Sequence, residues 1–151
     1  MTITAARLVI QPELQALQEV AKERGWLFRQ ETEHEFVLGL GCGTEQFFLR
    51  VDLTDYRATP AAWHWYNPQT NALDQSQDTP RGGTFFHPSG VICAPWNRLA
   101  YQSVNPKGPH GDWDIRGNWV AHANTGGTRT LVAMALRIDH ELQLNFAGRL
   151  A

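Results

Sequence analysis

Three features of the sequence predict an α+β fold: an amphipathic helix near the start, four short alternating apolar runs after it, and a second amphipathic helix further on. The first helix is expected over residues 12–24. Leu14, Leu17, Val20 and Ala21 recur there at helical spacing, with Gln15, Glu19, Lys22 and Glu23 on the other side. Pro12 suits the first turn, where a missing N–H does no harm, and Gly25 suits the position just past the end. Period-two alternation then marks the strands. Trp26 and Phe28 alternate with Leu27 and Arg29, and Phe36, Leu38 and Leu40 with Val37 and Gly39. The run Gly41-Cys42-Gly43-Thr44 reads as a turn, after which Phe47, Leu49 and Val51 alternate with Phe48, Arg50 and Asp52. A fourth strand is expected over residues 62–66, where His64 sits between Trp63 and Trp65. A helix followed by a four-stranded antiparallel meander is the expected order. Residues 67–83 are polar and read as a loop. Residues 85–119 lack periodicity and are rich in Pro, Gly and Trp; such irregular stretches inside a domain often carry function. The last helix is expected over residues 128–144, with Leu131, Met134, Ala135, Ile138 and Leu142 as its buried stripe and Thr125 or Thr128 as its cap.

Length and composition narrow the class. A chain of 151 residues with no internal repeat or linker reads as one domain, residues 1–151. A domain of that size buries roughly 68–70% of its unfolded surface, enough for an ordinary core. Hydrophobic residues at 42% and charged residues at 19% indicate a globular chain. The net charge of −2 implies no basic face, so neither nucleic acid nor a membrane surface is an expected partner. Only two cysteines occur, Cys42 and Cys93, and both read as free thiols of a reducing compartment. With no signal-peptide pattern and no apolar stretch of membrane-spanning length, a cytoplasmic location is expected. The six Trp are read first as core and loop anchors.

The run from Phe85 through His87-Pro88-Ser89-Gly90-Val91-Ile92 to Cys93-Ala94-Pro95-Trp96-Asn97 is the most informative. Cys93 follows a β-branched pair and precedes a turn-forming Ala-Pro, which suits a partly exposed thiol on a fixed backbone. A free cysteine also packs simply as a small hydrophobe, and both readings stand at this level. Cys42, within Gly-Cys-Gly, reads as incidental. The histidines at 34, 64, 87, 110, 122 and 140 offer no metal-ligand spacing. His140-Glu141 is followed by Leu144 where a zinc-protease helix would place its second His. A zinc site drawing on both cysteines is conceivable. Cys93 followed by His110 or His122, with Asp112 or Asn124 to orient it, has the chain order of papain-like hydrolases. Gly126-Gly127-Thr128 reads as a loop and cap, because no phosphate-loop Lys follows it.

Taken in order, these features resemble the ubiquitin-conjugating enzyme family. The strand run Phe47-Phe48-Leu49-Arg50-Val51-Asp52-Leu53-Thr54-Asp55-Tyr56, with Pro60 following, is similar to the family's third strand and its Asp-Tyr-Pro-x-x-Pro-Pro ending; Arg57 and Ala61 replace two of the prolines. His87-Pro88 and Gly90-Val91-Ile92-Cys93 resemble the His-Pro-Asn and Gly-x-Ile-Cys motifs, and Trp119 stands before the last helix as the family's Trp does. The resemblance implies a thioester-forming transferase. Cys93 would accept a ubiquitin-like modifier from an activating enzyme and pass it to the amine of a target protein, with no cofactor of its own. The single helix after the site is similar to trimmed bacterial members, some encoded in antiphage defence operons, which adds an antiviral role to the implied properties. His87 and Pro88 are expected to form a structural corner.

Ser89 stands where the family has its Asn, on a shorter corner, and a long segment separates Cys93 from Trp119. An oxyanion donor is therefore expected from that segment, with Asn97 first and His110 second, then Asn105 and Asn118. His110, Asp112 and Asp114 are the candidates to take the amine's proton. Two other functions remain open: a non-catalytic binding module on the same fold, and a cysteine hydrolase acting on a peptide or isopeptide.

Overall fold

The computed structural model describes residues 5–116, 118–121 and 127–151. A helix α1 (Ala5–Arg24) leads into four strands, β1 (Leu27–Thr32), β2 (Glu35–Cys42), β3 (Glu45–Asp52) and β4 (Ala62–Tyr66). A short helix α2 (Asn118–Ala121) and a long helix α3 (Leu131–Asn145) follow the irregular stretch. The strands pair in sequence order, each antiparallel to the next, as the alternation predicts. The sequence-derived domain is thus α+β, with a helix, a meander and a C-terminal helix.

α1 begins earlier than residue 12, and Pro12 lies inside it rather than in its first turn. Ile10 explains the extension, because its side chain is buried in the core one turn before the stripe of Leu14, Leu17 and Ala21. Gly41 and Cys42 belong to β2 rather than to a turn. Cys42 pairs with Glu45, which leaves Gly43 and Thr44 as a two-residue hairpin loop, with Gly43 at φ +60°. α3 is capped by Thr130, whose side chain accepts from the Ala133 N–H, and not by Thr128. Thr125 lies outside the described residues.

One face of the sheet carries the core. Phe36, Leu38 and Leu40 of β2, Phe47, Leu49 and Val51 of β3, and Trp63 and Trp65 of β4 are buried together with the stripes of α1 and α3. All five expected positions of α3, from Leu131 to Leu142, are buried. Glu13 joins three elements by hydrogen bonds: it accepts from the Tyr56 hydroxyl at 3.0 Å, from Arg57 Nη1 at 3.0 Å and from the Leu131 N–H at 2.7 Å. Burial, with the Glu13 carboxylate beside it, pushes the Tyr56 hydroxyl far above its ordinary pKa. Trp119 is buried against Tyr56 and donates from Nε1 to the Arg57 carbonyl.

After β4 the chain crosses to the end of α3. Residues 79–81 pair with residues 148–150: Arg81 donates to the Gly148 carbonyl and Leu150 to that of Thr79. Gly82 lies so close to α3 that a Cβ there would collide with the Asn145 carbonyl. No helix among the described residues is long and apolar enough to cross a membrane.

Candidate active site

Residues 85–93 fold back on themselves. Phe86 pairs antiparallel with Ile92, His87 donates to Val91, and Cys93 donates to the Phe85 carbonyl at 2.8 Å. Gly90, at φ +93°, lets the turn close with its N–H on the His87 carbonyl. Ser89 donates through its N–H to His87 Nδ1, with its hydroxyl 2.9 Å from the same nitrogen, so these two side chains belong to the turn. Cys93 emerges from this loop half-buried.

Beyond the thiol, the chain is tied down residue by residue. Tyr101 is buried and its hydroxyl donates to the Pro95 carbonyl at 2.6 Å. Tyr101 pairs in turn with His110, which donates its N–H to Ala100 and accepts from the Gln102 N–H. Gly108 makes the return possible, because a Cβ there would approach the Tyr101 carbonyl carbon to 2.8 Å. The imidazole lies flat on Trp113, with centroids 3.5 Å apart and planes 3° from parallel. These restraints bring His110 Nε2 to 3.1 Å from Cys93 Sγ. Burial pushes the Cys93 thiol above its ordinary pKa, which favours the neutral S–H in contact with an imidazole nitrogen. His110 can then take the proton as sulfur attacks, the nucleophile–base geometry of covalent catalysis. Asp112 Oδ1 lies 3.8 Å from His110 Nδ1, and that carboxylate is 84% exposed.

Two adjoining clefts, of about 320 and 530 Å³, open onto the thiol and share Phe85, Cys93 and Arg137. Trp96, His110 and Trp113 line the first, and Glu141 and Asn145 the second. Arg137, from α3, stands 5.1 Å over the Phe85 ring.

Of the expected site residues, Cys93 and His110 meet. Asn97 does not join them, and here the expectation is corrected. Its side chain is fully buried: Oδ1 accepts from the Trp63 and Leu99 N–H groups, and Nδ2 donates to the Ile92 carbonyl. Asn97 ties the site loop to β4 and cannot touch a substrate. Asn105 likewise holds its own loop, donating to the Leu99 carbonyl and accepting from the Lys107 N–H. Asp114 accepts from the Arg116 N–H. His122 and Asn124 lie outside the described residues, and so does the Asn118 side chain. Cys42 lines neither cleft; its thiol lies 3.5 Å from the Leu142 carbonyl. Among the described residues, no three or more His, Cys, Asp or Glu side chains gather as metal ligands, so the zinc reading finds no ligand set there. Phe85 and Trp96 were named in the sequence only as members of the run around Cys93, and Trp113 and Arg137 were not singled out. Trp113 left a trace, as an aromatic three residues past His110.

Compared with protein-family models, curated proteins and solved structures, the chain matches none.

Proposed function

We propose that the protein is a thiol acyltransferase of the ubiquitin-conjugating kind. Cys93 accepts the C-terminal acyl group of a ubiquitin-like modifier as a thioester, and a target amine then takes it. The observation that carries this reading is the 3.1 Å contact of Cys93 Sγ with His110 Nε2 at the mouth of two clefts. The order of helix, meander, cysteine loop and helix supports it, being the order that the sequence resemblance implies. In the first step the thiol proton passes to His110 as sulfur adds to the donor carbonyl, and the donor's thiolate leaves with that proton. In the second, an amine adds to the Cys93 thioester, gives its proton to His110, and the Cys93 thiolate departs. The test is charging by a cognate activating enzyme with ATP and modifier. A reductant-sensitive adduct should form, survive Cys42→Ala and vanish in Cys93→Ala; an adduct that survives Cys93→Ala overturns the proposal.

The sequence Cys93, His110, Asp112 favours a second reading, a cysteine hydrolase. Its orienting carboxylate is the weak member, since a triad's third residue is ordinarily buried and hydrogen-bonded to the imidazole. Cleavage of a modifier C-terminal ester or isopeptide without activating enzyme or ATP would decide for it.

A further inference from the structure

With Asn97 buried, the oxyanion of the transfer needs another donor, and the geometry points to Arg137. We infer that its guanidinium receives the negatively charged oxygen that develops on the acyl carbon attacked by Cys93; the assignment rests on the acyl-transfer reading above. Three observations converge on it. First, Phe85 serves both partners: its carbonyl accepts the Cys93 N–H, and its ring lies 5.1 Å beneath the guanidinium carbon. The cation and the nucleophile are thus referenced to one residue. Second, Arg137 and Cys93 share the walls of both clefts. Third, Nε is held by Glu141 Oε1 at 3.0 Å, while the terminal nitrogens have no hydrogen-bond partner among the described residues. The side chain is 47% exposed, so those donors are open to a ligand. Glu141 is itself restrained, because Asn145 Nδ2 donates to its other oxygen at 2.8 Å.

The chemistry is balanced within the step already described. Sulfur forms a bond to the acyl carbon, the C=O π pair moves onto oxygen, and Arg137 N–H groups meet that charge. Collapse restores the C=O bond and expels the leaving group, which takes the proton held on His110. A planar fork of donors suits an oxygen anion better than a single ammonium, although lysine preserves the charge.

Two reagents separate charge recognition from thiol reactivity. Iodoacetate and iodoacetamide both alkylate the Cys93 sulfur, but only the first sets a carboxylate beside the attacked carbon. The wild-type rate ratio of iodoacetate to iodoacetamide, read at Cys93 by peptide mass spectrometry, should drop about fivefold to tenfold in Arg137→Gln, the size of one partly screened charge contact. Arg137→Lys should retain most of it. In the wild-type chain the same ratio should fall between about 50 and 500 mM salt, as a partly exposed cation requires. Acylation of Cys93 by 4-nitrophenyl acetate should also slow at least about tenfold in Arg137→Gln, the minimum expected from losing an oxyanion donor. A ratio indifferent to salt and to the substitution, or an unchanged acylation burst, overturns the assignment. Neither measurement uses the modifier or its activating enzyme, so failure of the transferase reading and failure of this one are told apart.

Discussion

Cys93 and His110 together set the pH behaviour of the site. Burial holds the thiol above the ordinary value of 9.0, so little thiolate exists at neutrality and the base must act during attack. Alkylation of Cys93 by iodoacetamide should keep rising past pH 9; a rate already level at neutrality would mean the thiolate is preformed. The sign for stability follows from the same shift. A raised folded pKa adds stability below the unfolded thiol's pKa and loses it as pH climbs through the folded value. His110→Ala should slow discharge of a preformed thioester to a lysine acceptor at least tenfold, within the span of general-base effects of about 10²–10⁴, with melting temperature nearly unchanged. Losses in charging and discharge accompanied by a clear fall in melting temperature would instead assign His110 to packing on Trp113. Asn97 belongs to the opposite kind. Removing its amide takes the side-chain acceptor from the Trp63 and Leu99 N–H groups in the interior, at about 1–3 kcal/mol for each that water cannot reach, while the Ile92 carbonyl keeps the Ala94 N–H. Asn97→Ala should therefore lower the urea midpoint strongly and depress charging and discharge together. A selective defect in discharge would restore the chemical role that its sequence position suggested.

Among the elements, α3 was the most legible. Its apolar stripe is long and strictly helical, and all five residues are buried. Ile138→Ala should cost about 2–5 kcal/mol in denaturant melts, the range for deleting a fully buried branched side chain. A loss near zero would mean the helix does not pack by this face. Its cap was legible only as a residue type. Several threonines stand before the helix, and pattern alone does not tell which one has the extended backbone that lets its oxygen reach back to the third N–H. Thr130→Ala should cost about 1 kcal/mol. The start of α1 was hidden for a related reason. Pro12 is as suitable for a first turn as it is tolerable further in, and only the burial of Ile10 against the sheet decides between the two. Strand order was readable because consecutive alternating runs joined by short turns favour a meander.

At the scale of the molecule, the site is a product of long-range closure, and this is where sequence reasoning stops. Cys93 and His110 were nameable from residue type and chain order. Their contact depends on Tyr101 reaching back to Pro95 and on an aromatic shelf at Trp113. Arg137 gave no signal at all. It lies on the open side of a helix whose docking angle against Phe85 is a property of the folded core. The strand-like pairing of residues 79–81 with residues 148–150, and the crowding of Gly82 against Asn145, fasten the segment before the thiol to the far end of α3. Gly82→Ala would force those two backbones apart. It should lower the melting temperature by several degrees and speed protease cleavage near residues 79–85, whereas an Ala there without either effect would mean that the approach is not maintained in solution.

That fastening has a consequence for the order of events on the ribosome. The four strands can pair as they emerge, since each contacts its neighbour in sequence, whereas α1 waits for α3, to which Glu13 ties it. The loop bearing the nucleophile has no partner for residues 79–81 until about seventy residues more have been made, and such distant pairings form late because the chain must first close a long loop. A nascent chain halted before α3 would display Cys93 without Arg137 in the wall of its clefts. On the role proposed for Arg137, the oxyanion donor therefore joins this thiol only once α3 has been made, long after the nucleophile itself.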